Sequence, residues 1–327
     1  MIVSSARHNS NLWQNRYNQK MKCKLPTVAG MLLALLAADA VPAQAPATPD
    51  SRTVATNQYD GQQLVAAAAQ RLLQQSAVQA KLRQQVVLFG QQLLGTGSYW
   101  QLRQGEQLQR RLELKFQVSQ QVTSLTQVCD GRFMWIHRDM PGLRSLGRVD
   151  LRQLEEAAAA AEQGGVAASS THWFVLGGLP QLLNELATRF QFGTAATDRI
   201  GDAPVWVVRG TWKQSELARL LSPADPSAAD VDPSQLPSHV PNRVVLALSQ
   251  NPNLPLFPQR IEFRRDENVD GQKTSNALVV IELFDVVRPL NLDPHLFQYH
   301  AGDLEVADHT QLYLETLGLK TSPRQGS

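Results

Sequence analysis

Cysteine is nearly absent: Cys23 and Cys129 are the only two in 327 residues. Two thiols that far apart cannot form a disulfide framework or a cysteine-rich metal site, so burial has to hold the fold. Charge of one sign is also missing. Thirty-one Lys and Arg face 29 Asp and Glu, a formal +2 that offers a polyanion no electrostatic footprint, which excludes nucleic acid as the default partner. Nor does the chain contain a G-x-S-x-G elbow, an H-E-x-x-H pair, a P-loop, a G-x-G-x-x-G turn or an EF-hand loop. Apart from His8 near the start, the histidines His137, His172, His239, His295, His300 and His309 supply no i, i+4 pair on a convincing helix, so no metal ligation is expected.

What the chain has is a 43% hydrophobic composition, enough for a large core, and an apolar run near its start. Met21, Lys22, Cys23 and Lys24 form a basic n-region before the apolar stretch Leu25 to Ala38. That run is shorter than the ~20 apolar residues of a membrane span and is followed by small-residue cleavage patterns, so it reads as a secretory signal. Cleavage is expected between Ala40 and Ala47, with residues 1–20 an upstream extension. Removing 1–47 leaves 26 basic and 28 acidic residues, a near-neutral exported protein with no membrane span. Cys129 is then the single thiol, expected as a small buried side chain. A flexible leader is expected at 48–60 and a disordered tail at 319–327.

Between them, 61–318 reads as one domain. Gly61 to Ala77 places Leu64, Val65, Ala68, Leu72 and Leu73 at helical spacing. From Lys81 the period becomes two, most cleanly where Leu112, Leu114, Phe116 and Val118 alternate with Arg111, Glu113, Lys115 and Gln117. Gly95 to Ser98 reads as a turn. Asp130-Gly131 is a hairpin turn expected to pair Cys129 with about Arg132. Helices are expected at Leu151–Gln163 after Asp150, at Leu179–Phe190 with Pro180 in the first turn, and near Lys213–Leu221. Further strands are expected at 190–196, 204–211, 243–249, 259–265 and 276–287, with turns at 198–202 and 266–271. Five prolines and three aspartates mark 222–241 as an exposed insertion.

The sum is an α+β fold: a large curved antiparallel sheet of about ten strands, an incomplete β-barrel, with helices packed on its concave face. Chemistry is sparse. Cys129, His137 and Asp139 sit on neighbouring strands, but the hairpin register argues against a thiol–imidazole pair. The carboxylate pairs Glu155-Glu156, Asp266-Glu267 and Asp303-Glu305 read as solvated. No catalytic residue and no cofactor is assigned.

Two segments carry a family resemblance. Arg111–Gln117 followed by Leu125–Ile136, which holds Asp130, Gly131 and Trp135, is one; Ile281–Val286 with Leu292, Asp293, Pro294, Leu296, Phe297 and Tyr299 is the other. With the leading helix they resemble the LolA-like lipoprotein carriers of the diderm bacterial envelope. That resemblance implies an open barrel around helices, a periplasmic location, and an apolar groove that takes an acyl chain of a lipid or lipoprotein. The groove positions it implies are Val86, Leu88, Trp100, Leu112, Leu114, Phe116, Leu125 and Phe133 in the first half. Trp135, Trp206, Val208, Leu246, Ile261, Phe263, Ile281 and Leu283 complete them. The plainer reading of each is ordinary core under the helices. Trp100 and Trp135 are favoured because indole offers area and a polar handle. The alternative function is an envelope interaction or sensor protein that binds a protein partner through the groove or the Pro-rich segment.

Overall fold

The computed structural model describes residues 59–88, 91–118, 121–163, 177–221, 231–269 and 272–319. The expected signal, most of the leader, half of the Pro-rich segment and nearly all of the tail lie outside these residues. Thirteen strands form one sheet in the order β13-β6-β5-β4-β3-β2-β1-β12-β11-β10-β9-β7, with β8 also paired to β9. The elements are α1 (Gly61–Gln74), β1 (Ala77–Leu88), β2 (Gln91–Gln104), β3 (Gln107–Val118), β4 (Gln121–Cys129), β5 (Phe133–Met140) and β6 (Leu143–Asp150). There follow α2 (Leu151–Gln163), α3 (Gly178–Arg189), β7 (Phe190–Phe192), β8 (Ala196–Ile200), β9 (Ala203–Trp212) and α4 (Gln214–Leu221). Strands β10 (Arg243–Ser249), β11 (Pro258–Val269), β12 (Gln272–Val287) and β13 (Val306–Asp308) and helix α5 (Thr310–Thr316) complete the order. Every pairing is antiparallel except β13 with β6, and the sheet does not close on itself. This is the curved, incomplete barrel with helices that the resemblance implies, with three strands more than expected.

Local chemistry explains the helix boundaries. Asp60 caps α1 by accepting the Gln62 N–H at 2.8 Å, and Asp150 accepts from Arg152 and Gln153 at the start of α2. Gln62 ties α1 to its neighbours, donating to the Ala187 carbonyl of α3 and accepting from the Phe192 N–H of β7. One face of α1 (Val65, Ala68, Leu72) and one of α3 (Leu179, Leu182, Leu183, Leu186) are buried with the sheet's inner residues in the main core. A second cluster joins Met134, Ile136 and Val149 of β5 and β6 to Leu151 and Leu154 of α2 and to Leu314, Leu317 and Leu319 at the C-terminal end. The helices thus cover one face of the sheet in two groups.

Several expectations are corrected. Gly95 to Ser98 are not a turn but the middle of β2, in continuous register with β3 from Phe116 to Glu113. Glycine is needed there because the Phe116 ring lies over Gly95 and the Glu113 carbonyl lies against Gly97, so a Cβ at either position would collide. Asp130 and Gly131 do form the hairpin turn, but Cys129 pairs with Met134, not Arg132. Asp198 to Ile200 belong to β8, and Asp266 to Val269 continue β11, so both expected turns are shorter than read. The 231–241 half of the Pro-rich segment is exposed at Asp232, Ser234, Gln235, Ser238 and His239 but anchored from below: Val231, Leu236 and Val240 are buried, and the Arg265 guanidinium donates to the carbonyls of Ser234, Leu236 and Val240. Leu292 to Tyr299 hold a 3-10 turn at Pro294–Phe297 on the outer face, before the short strand β13.

The last helix has a pH-sensitive seat. His309, just before α5, lies flat against Gly147 of β6, where a Cβ would strike its ring. Burial lowers the pKa of His309 below its ordinary 6.5, and Arg138 adds to the effect while Asp308 opposes it. The folded state therefore resists a proton that the unfolded chain accepts, so this contribution to stability is present above 6.5 and is lost as pH falls through the folded value. Asp308, lowered by its bonds to Thr310 and then by Arg148, loses its contribution only in the more acidic carboxylate range. The urea midpoint is expected to fall between about pH 7 and pH 5, and His309→Gln to flatten that slope. An unchanged slope in the variant would contradict the assignment.

Candidate functional site

Strand register shows which side chains share the inner face. Val208, Leu246, Ile261 and Ile281 lie side by side across β9, β10, β11 and β12, and the row continues through Gln84 and Gly95 to Phe116. A parallel row runs Leu283, Leu82, Gly97, Leu114 and Leu125. A third runs Val244, Phe263, Val279 and Val86. Alternation places the opposite phase outside, where Arg83, Glu282, Arg260, Glu262 and Arg264 form a chain of surface ion pairs. Each such pair adds little stability, but together they mark the solvated face.

Most expected groove residues lie on the inner face, and most are buried there. Leu112, Leu114, Phe116, Val208, Leu246, Ile261, Ile281 and Leu283 are buried in the main core, and Val86 is buried beside Val279. Leu125, Trp206 and Phe263 are half-buried against it, as are Val279, Leu220 and Leu221. Leu88 ends β1 two positions after Val86; its side chain lies outside the described ones. The remaining three are corrected. Trp100, Phe133 and Trp135 face outward.

The reason is register. The turn after Gln104 pairs Tyr99 with Leu112 and Trp100 with Arg111, so Tyr99 takes the inner position and Trp100 the outer one. Likewise Trp135 opposes Val128, in phase with Arg111, while its neighbours Met134 and Ile136 point into the second cluster. Trp135 stacks on Tyr299 at 5.8 Å, Arg148 lies 5.9 Å from its ring, and Arg111 donates to the Leu296 carbonyl at 2.9 Å. The Leu292–Tyr299 element therefore covers the outer face of β3 to β5.

The inner face also carries a polar layer that sequence reasoning missed. Tyr99 donates to Gln101 at 2.8 Å, Gln101 donates to the Leu72 carbonyl at 2.9 Å, and Arg110 reaches the Cys129 sulfur at 3.4 Å. Burial pushes the Tyr99 hydroxyl far above its ordinary value and raises the Cys129 thiol, with Arg110 opposing both. Cys129 is therefore a neutral thiol, unsuited to nucleophilic attack. Phase was the available signal: Arg110 precedes Leu112 by two, and Gln101 follows Tyr99 by two. Cys129 faces inward and His137, opposite Thr126, faces outward, so no thiol–imidazole pair forms. Among the described residues no group of three or more His, Cys, Asp or Glu is placed to hold a metal. Among them, no helix is long and apolar enough to cross a membrane.

No family model and no curated protein matches the chain. Solved structures do show similarity in fold. LprF from Mycobacterium bovis is 13% identical, covering 71% of this chain and 96% of its own, with a TM-score of 0.35. The MucA/MucB complex of Pseudomonas aeruginosa gives 15%, 73%, 59% and 0.36, and a LolA superfamily protein from Nitrosomonas europaea gives 12%, 74%, 98% and 0.28. At these identities and scores the likeness carries no argument.

Proposed function

We propose that the protein is an exported, non-catalytic carrier that shelters an acyl chain of a lipid or lipoprotein between its helices and the inner face of the sheet. The observation supporting this reading is the set of apolar rows that crosses the open sheet under short, separate helices instead of a second sheet. In the closed arrangement side chains of α1, α3 and α4 occupy that space, so cargo has to displace part of the cover. Helix α4 and the 231–241 segment are the natural door: α4 has eight residues, and half-buried Leu220 and Leu221 end it beside the core. Burying a methylene is worth ~0.8 kcal/mol, so a chain of ~16 carbons gains ~10 kcal/mol at most before ordering costs.

Mass spectrometry of organic extracts from protein secreted with its own signal and purified without detergent tests the proposal. A near-stoichiometric acyl species is expected; protein free of lipid under these conditions contradicts it. The outward tryptophans make a control. Trp100→Ala and Trp135→Ala are expected to leave acyl binding within about twofold of the parent, since rim and remote substitutions that miss the ligand change affinity little. A tenfold loss in either, measured by titration with a fluorescent fatty acid, would move the site to the outer face.

A further inference from the structure

The second inner row is apolar across five strands and then ends in a charge. From β12 to β4 it runs Leu283, Leu82, Gly97, Leu114 and Leu125, and its next member, on β5, is Arg138. Neighbouring strands lie about 4.8 Å apart, so the steps from Leu283 to Arg138 cover about 24 Å along the sheet. That exceeds the ~15 Å that one layer of acyl chains occupies in a bilayer with a ~30 Å core. Hydrocarbon along the row and a cation at its end match the two parts of an amphiphilic chain.

Arg138 is half-buried, and among the described residues it forms no hydrogen bond and no ion pair. Its neighbours are partnered: Arg110 lies on the Cys129 sulfur, while Arg111 and Arg148 pair with Glu113 and Asp308. Asp139, next along β5, faces outward and holds Arg144. Across the strands Arg138 stands between Leu125 of β4 and Ser145 of β6. Leu125 packs against both hydrophobic clusters, which puts Arg138 at the seam between the two groups of helices. His309 lies over Gly147, two residues beyond Ser145. Burial lowers the pKa of His309 and raises that of Tyr313, and Arg138 adds to the first shift and opposes the second, so its charge is felt along α5. A guanidinium without an acceptor beside an apolar row forgoes its charge-assisted bonds, and its planar fork matches a carboxylate through two parallel N–H bonds.

We propose that Arg138 receives the carboxylate of a long-chain free fatty acid whose hydrocarbon lies along the row from Leu125 toward Leu283. The proposal rests on the acyl-chain reading and adds the chemical class of the cargo, an unesterified chain that keeps its charged end.

Isothermal titration of the full mature chain with dodecanoate, methyl dodecanoate and dodecyl phosphate, below their micelle concentrations and at about pH 8 where the carboxyl is ionised, is the test. Dodecanoate is expected to bind at least tenfold more tightly than its uncharged methyl ester. Arg138→Gln is expected to lose that preference, to bind the ester as the parent does, and to keep its urea midpoint, since none of the described contacts of Arg138 is a bond that the variant breaks. The acid-to-ester ratio of the parent needs no variant, so it decides the charge requirement even if Arg138→Gln unfolds. Equal binding of acid and ester, or a preference that survives in Arg138→Gln, overturns the proposal. Dodecyl phosphate binding more tightly than dodecanoate overturns the carboxylate assignment in favour of a phosphate monoester.

The His309 ring locates the bound carboxylate. In an NMR titration dodecanoate is expected to raise the His309 pKa, because an anion on Arg138 offsets the effect of that arginine, and methyl dodecanoate is expected to leave it in place. A His309 unmoved by dodecanoate overturns the placement. If a brominated acid and its brominated methyl ester quench Trp206 and Trp212 equally, this inference fails alone; if neither quenches them, the carrier reading fails with it.

Discussion

Replacing Arg265 with methionine is expected to destabilise the protein by about 3 kcal/mol and to free the 231–241 segment. Methionine keeps the apolar stem but removes the guanidinium that bonds the carbonyls of Ser234 at 3.1 Å, Leu236 at 2.7 Å and Val240 at 3.3 Å. The carbonyls of the buried residues Leu236 and Val240 then lose their donor, and each buried polar group without a partner costs about 1–3 kcal/mol. Loss of the anchor also loosens Leu236 and Val240 from the core. Urea unfolding reads the first effect, and limited proteolysis within 231–241 reads the second. A variant within 0.5 kcal/mol of the parent (the scatter of ordinary surface substitutions, roughly ±0.5 kcal/mol) and equally resistant to protease would contradict this role for Arg265.

Gly97→Val is expected to cost about 4 kcal/mol or more and to reduce secretion of folded protein. The Glu113 carbonyl occupies the position a Cβ would take, and the obstacle is backbone, which cannot rotate away. The strands would have to part in the middle of the β2–β3 ladder, where the inner row from Leu283 to Leu125 crosses. Losses above 4 kcal/mol are confined to such backbone and core conflicts. Ser98→Val, one position on and facing the other way, is the matched control and is expected to stay within about 1 kcal/mol, because a β-branched residue suits a half-exposed strand. Equal urea midpoints for the two variants would show that the close approach at Gly97 is not required.

The same glycine shows where sequence reading fails. A Gly-Thr-Gly-Ser run between apolar segments reads as a turn because glycine is the usual breaker, and nothing local reveals that a carbonyl from another strand needs the space. Features set by near neighbours were legible: the Asp60 and Asp150 caps, the Asp130-Gly131 turn, and the alternation from Leu112 to Phe116. Both strand ends taken for turns are polar, since Asp198 to Ile200 lie on an exposed edge and Asp266 to Val269 extend beyond the helices' cover, so neither bears an apolar pattern. Helix α5 and strand β13 escaped notice for the opposite reason, being short and held by contacts more than 150 residues away, such as Asp150 with Thr310.

The site was half legible. Period two placed Leu112, Leu114 and Phe116 together on the inner face, yet Trp100 and Trp135 were assigned by the chemistry of indole instead of by phase. Counting through the turn after Gln104 sets Trp100 opposite Arg111 and so turns it outward. The same count places Arg110 inward, against the Cys129 sulfur.

Fluorescence quenching by a brominated fatty acid tests the carrier reading most directly, because the tryptophans report from both faces. Trp206 and Trp212 belong to the inner core, the latter with its indole N–H on the Pro241 carbonyl at 2.8 Å, while Trp100 and Trp135 face outward. With single-tryptophan variants, saturable quenching of Trp206 and Trp212 that leaves Trp100 and Trp135 bright is the predicted result. Quenching confined to the outward pair, or none at any concentration below micelle formation, would contradict an acyl chain between the helices and the sheet.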